Sequence, residues 1–172
     1  MLDERIATVE KQQGKAPQRY KDFRKLIDNK DIDVVIVGTP DHWHCLPAIY
    51  ACEAGKDVYV EKPLANSIAE CELMVEAARK YNRVVQVGQQ QRSAAHFIKA
   101  TKMVKEGKIG QLRKVHIWAN FGYGIGQPKV ADTEVPKGVD FDMWLVLRLN
   151  AVLMLQDFMV HGVCFGIMVA VS

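Results

Sequence analysis

Three short polar clusters carry the residue types that do chemistry: "TPDHWH" at 39–44, "EKP" at 61–63 and "GQQQR" at 88–92. Lys62 is the most demanding of them. It follows a β-branched and aromatic run, with Glu61 beside it and Pro63 restricting the backbone, so its ammonium is a cation held in place rather than left to swing. A strand-ending turn with a Glu-Lys pair is the alternative. His42 and His44 are metal-ligand types, but no carboxylate or cysteine stands at a spacing that completes a ligand set. They read as hydrogen-bonding loop residues, and no metal is expected. Arg92 suits an anionic or hydroxylated group, or a surface ion pair.

Each cluster closes a segment that must place it. "DVVIVG" (33–38), "DVYV" (57–60) and "VVQVG" (84–88) are apolar nearly throughout, which predicts buried strands of a parallel sheet covered on both faces. Between them lie helical patterns, "HCLPAIYACEAG" closed by Gly55 and "SIAECELMVEAARKY" with Ser67 and Glu70 at capping-box spacing. "LDERIATVEKQQ", "QRYKDFRKLIDN" and "AAHFIKATKMVKEGKIG" also read as helices. The fold class is α/β. Ligands of open parallel sheets bind beyond the carboxyl ends of the strands, where all three clusters fall, with Asp41 placed to cap the following helix. From 112 the pattern changes: "LRKVHIWANF" alternates like a half-exposed strand, and an irregular loop follows, as at entry into a second domain.

The bulk properties exclude more than they identify. A net charge of +3 is mild. Lys99, Lys102, Lys105 and Lys108 share one side of a helix as a solvated face, so nucleic-acid binding has no support. Cys45, Cys52, Cys71 and Cys164 form no CxxC pair, which suits reduced thiols in the cytoplasm. The first residues carry charges where an export signal has its apolar stretch.

The segment from "DIDVVIVGTPDHWH" through "DVYVEKPLAN" to "VVQVGQQQR" resembles the Gfo/Idh/MocA family of nicotinamide-dependent oxidoreductases, with similarity from about residue 17 to 145. The resemblance implies a Rossmann domain binding NAD or NADP, then an α/β domain with substrate and homo-oligomer contacts. Carried over by position, it puts Thr39, Pro40 and His44 beside the cofactor, with Glu61 and Lys62 near the nicotinamide and its ribose. It also makes Lys62 the catalytic group that hydrogen-bonds the substrate hydroxyl, on a Lys-Pro bond that is cis in many relatives. It has Gln90 face the cofactor and Arg92 a sugar or polyol substrate, at positions where residue types vary among relatives.

Two departures qualify the resemblance. No GxGxxG precedes residue 33, and Asp3 is a weak candidate for the acidic ribose ligand, so residues 1–110 are expected to be an incomplete Rossmann-type sheet lacking its first βαβ unit. Residues 111–145 then begin the C-terminal domain. Beyond Leu145 the apolar stretch "VLRLNAVLMLQDFMVHGVCFGIMVAVS" loses family character. Val-Leu-Arg-Leu-Asn can be written GTC CTG CGC CTA AAC, and one G in front turns the same bases into Gly-Pro-Ala-Pro-Lys, as relatives continue. Residues 146–172 are thus expected to be an out-of-frame tail, which the underlying nucleotides decide. The run after Asp157 is shorter than the roughly 20 apolar residues of a spanning helix, so no membrane anchor is expected. Without a phosphate loop or the family's second-domain Asp and His, the chain is expected to bind nucleotide weakly and to lack turnover. A nonenzymatic remnant or a partner-binding α/β module is the alternative.

Overall fold

The computed structural model describes residues 2–118, 133–145 and 169–171. Three strands, β1 (Val34–Val37), β2 (Asp57–Glu61) and β3 (Val85–Gly88), form a parallel sheet in the order β3-β2-β1. Its register pairs Val35 with Val58, Val37 with Val60 and Glu61 with Gly88. The strands lie where the apolar runs predict them. At the outer edge of β1 a three-residue strand, Val169–Val171, pairs antiparallel.

Four helices precede or connect the strands: α1 (Leu2–Gln13), α2 (Phe23–Asp28), α3 (Cys45–Glu53) and α4 (Ile68–Lys80). Two more, α5 (Ala95–Lys105) and α6 (Phe141–Leu145), follow β3, and the edge strand 169–171 is β4. The expected helix over 18–29 is shorter than its apolar pattern. Asp22, in extended backbone, caps α2 by accepting the Arg24 N–H, so the helix starts at Phe23. Helix α4 has the full capping box, Ser67 Oγ accepting from Glu70 N–H and the Glu70 carboxylate accepting from Ser67 N–H. Helix α3 ends at Glu53 with Ala54 as its C-cap, and Gly55 follows with a φ of +80°, a conformation that glycine adopts without a Cβ clash.

The core lies on one face of the sheet. Val35, Val37, Val58 and Val60 pack with Leu26 and Ile27 of α2, Ala48, Ala51 and Cys52 of α3, and Met74 and Ala77 of α4. The strand order explains this arrangement. The strands advance steadily in one direction, and crossovers of the usual right hand then put α3 and α4 on the same face. The opposite face, carrying Val34, Ile36 and Tyr59, is half-buried. Coverage of both faces, expected from apolar content alone, requires the strand order to reverse.

Two expected features are absent from the described residues. Asp41 does not cap α3: it opens a 3₁₀ turn (Asp41–Trp43), and α3 starts after His44 with no side-chain cap. Residues 112–118 form no strand, and Val115, Ile117 and Trp118 are exposed. Residues 119–121 of that expected strand and most of the following loop lie outside the described residues, as does 146–168 of the expected tail. No helix among the described residues is long and apolar enough to cross a membrane.

The described cysteines are free. Burial, reinforced by the nearby Glu70 and Cys71, pushes the Cys45 thiol up to about 11 from its ordinary 9.0. Burial also raises Cys52. Because the raised value belongs to the folded state, the stability linked to a neutral Cys45 is fully present below pH 9.0 and is lost as pH rises through about 11. Mass-spectrometric mapping of brief iodoacetamide labelling near pH 8 should therefore find native Cys71, which is half-buried, modified before Cys45 and Cys52.

Candidate active site at the strand ends

The three parallel strands end side by side, so their following segments share one edge. The turn 39–44 leaves β1, the Lys62–Pro63 turn leaves β2, and a 3₁₀ turn (Gln90–Ser93) leaves β3. Seven residues singled out in the sequence are thereby brought to that edge: Thr39, Pro40, His44, Glu61, Lys62, Gln90 and Arg92. They are not equally connected. His44 links the first turn to the second. Glu61 pairs in register with Gly88, which links the second strand to the third. Gln90 and Arg92 are exposed, and among the described residues their side chains bond neither of the other turns.

His44 is 1 % exposed. Its Nδ1 lies 2.6 Å from the Pro63 carbonyl oxygen and its Nε2 2.9 Å from that of Thr39. Both ring nitrogens thus face a backbone carbonyl, which only accepts, and the shorter contact is the one to Pro63. Neither nitrogen is left over for a ligand. The Lys62–Pro63 bond is cis, as the resemblance implied. Lys62 is exposed, and among the described residues its ammonium has no ion-pair partner. Its backbone N–H donates to Glu61 Oε2 at 3.3 Å. Gly88 lets the chain close up here: a Cβ would come 2.8 Å from Glu61 Oε2, 3.0 Å from the Tyr59 hydroxyl and 3.2 Å from Glu61 Cα. A side chain at 88 would have to push the Glu61 carboxylate aside.

A second set of contacts was not visible in the sequence. Helix α6 docks on the first turn, where His42 Nε2 donates to the Trp144 carbonyl at 2.6 Å and Trp43 Nε1 donates to that of Met143 at 3.0 Å. These ring N–H groups satisfy carbonyls at the C-terminal end of α6 that have no helical partner. Trp144 is 5 % exposed, stacked on Phe141 and edge-on to His42. The i, i+3 spacing of Phe141 and Trp144 was the available signal. Two buried polar atoms at this edge, Thr39 Oγ1 and Trp144 Nε1, have no partner among the described residues. Buried donors without partners are uncommon in folded proteins and mark places where a ligand or water completes the bonding.

Parallel strands joined by helices and ending together at one polar edge define a Rossmann-type α/β module. The comparisons with known proteins agree. Residues 2–89 match the model of the oxidoreductase family with an NAD-binding Rossmann fold, GFO_IDH_MocA. The chain belongs to this Gfo/Idh/MocA family. It is 37% identical over 98 residues to inositol 2-dehydrogenase of Salmonella paratyphi B, covering 56% of this chain and 29% of that protein. It is 41% identical over 91 residues to levoglucosan dehydrogenase of Pseudarthrobacter phenanthrenivorans, covering 53% and 23%. A solved levoglucosan dehydrogenase in complex with NADH and levoglucosan superposes with a TM-score of 0.54 at 37% identity, covering 63% of this chain and 29% of that one. The chain thus spans less than a third of the length of these relatives.

Proposed function

We propose that this chain carries the nicotinamide-proximal edge of an NAD(P)-dependent oxidoreductase acting on a sugar or polyol hydroxyl. The observation that carries this reading is that three strand ends share one edge, with an exposed Lys62 at its centre that has no ion-pair partner among the described residues. The residues present suit a nicotinamide cofactor. Thr39 Oγ1, buried with no partner among the described residues, supports a hydrogen bond to the cofactor, and the close approach of Gly88 to the Glu61 carboxylate supports a role for Glu61 at the ribose. Thr39, Pro40, Glu61, Lys62 and Gln90 would hold the cofactor, and Arg92 the substrate. When bound, the cofactor supplies the hydride acceptor. Lys62 stabilises the charge that develops on the substrate oxygen as its proton leaves.

The 172 residues contain no GxGxxG, so nucleotide affinity of the isolated chain is expected to be weak and turnover absent. The test is NADH titration of the ¹⁵N-labelled chain. Millimolar NADH should shift amide signals of residues 39–44, 61–63 and 88–92, with no saturation in the micromolar range. Shifts elsewhere, or none at all, would count against the reading. Micromolar saturation would instead show that a glycine loop is dispensable. Reading the nucleotides after the Leu145 codon tests the proposed frame change separately.

A second reading, a nonenzymatic module that binds a partner, is favoured by α5. None of its residues is buried, and Phe97 and Ile98 stand exposed. A chain that shows no NADH-induced shifts at the strand ends would fit this reading.

A further inference from the structure

We propose that His44 is a positioning residue for Lys62, acting through the Pro63 carbonyl rather than by touching a ligand. The proposal rests on the reading of Lys62 given above. Among the described residues no hydrogen bond or ion pair holds the Lys62 ammonium, so its place is set by the backbone on either side. On the N-terminal side Glu61 is fixed by its register with Gly88. On the C-terminal side the Pro63 carbonyl is fixed by His44 Nδ1 at 2.6 Å. The same ring meets the Thr39 carbonyl at 2.9 Å, so one buried side chain ties the turn after β1 to the turn after β2.

Other bonds of the Lys62 turn do not do this work. The Glu70 carboxylate accepts from the backbone N–H groups of Asn66 and Ser67, which fixes the start of α4. That link is local to the sequence, three and four residues long. Among the described residues only His44 reaches across, 19 residues along the chain, to a carbonyl adjacent to Lys62. The ring is 1 % exposed, and both its nitrogens face backbone carbonyls. A cofactor beside it would find no free polar atom. The residue therefore shapes the site without belonging to the surface that a ligand meets.

Three substitutions separate this role from a general packing role. Asparagine at 44 places an amide nitrogen near the Nδ1 position and can keep the bond to Pro63. Glutamine places one near Nε2 and can keep the bond to Thr39. Leucine keeps volume and neither bond. Amide hydrogen exchange at Lys62 and Leu64, measured on the full chain without nucleotide, is the readout. His44→Leu and His44→Gln should raise exchange there by about tenfold, the effect of losing one net hydrogen bond, and His44→Asn should restore it toward the parent value. Unchanged exchange in a folded His44→Leu chain overturns the proposal. Should the leucine variant fail to fold, equal exchange in the asparagine and glutamine variants does the same. Because no nucleotide is present, an absence of NADH-induced shifts would count against the functional reading and leave this comparison intact.

Discussion

Replacing Lys56 with alanine should destabilise the chain by about 3 kcal/mol, whereas Lys62→Ala should change its stability by less than ~0.5 kcal/mol. The two lysines flank the same strand and differ in every physical respect. Lys56 is 4 % exposed, and its ammonium donates to the carbonyls of Asn29 at 2.7 Å and Ile32 at 2.6 Å. Burial lowers its proton affinity from the ordinary value, with Lys30 adding to the effect and Asp33 opposing it. Removing the ammonium leaves two carbonyls without their donor, at about 1–3 kcal/mol for each buried unsatisfied group. Against a domain stability of about 5–15 kcal/mol this is a large share. Among the described residues the Lys62 ammonium has no such bonds to lose. Urea unfolding followed by circular dichroism decides the matter, and similar midpoints for the two variants would refute the assignment of one lysine to structure and the other to chemistry.

Trp144→Ala is expected to undock α6 while leaving the α/β core folded. Truncating a buried tryptophan costs about 3–5 kcal/mol. A five-residue helix has no means of standing alone once that contact is gone. The core cluster built on Val35, Val37 and Val60 does not include Trp144, so the loss should stay local. Hydrogen exchange should rise across 141–145, while protection in β1 and β2 stays at its parent level. Retained protection of α6 in the alanine variant would mean that the His42 and Trp43 bonds hold the helix without the indole.

Much of this architecture was legible in the sequence because it depends on neighbours in sequence. Continuous apolar runs located β1, β2 and β3, and the spacing of Ser67 and Glu70 located the start of α4. The placing of Lys62 at a strand end followed from the same logic. What could not be read is set by distant contacts. His42 and Trp43 meet α6 about a hundred residues later, and no local pattern around 41–43 announces such a partner. Residues 112–118 show the converse: an alternating pattern is necessary for a strand, but a ladder needs a neighbour, and among the described residues none is paired with this segment. Asp41 has the right type for a cap, yet the intervening 3₁₀ turn carries it away from the first turn of α3.

The outer edge of β1 gives the sheet its vulnerability. On its inner side β1 has four parallel partners in β2, but on its outer side the antiparallel pairing ends after Val34, Val35 and Ile36. A strand edge is a template for any extended chain, and here it is occupied by a segment about as short as a strand can be. Whether the protein stays single at high concentration is thus a contest between one intramolecular strand and the matching edges of other molecules.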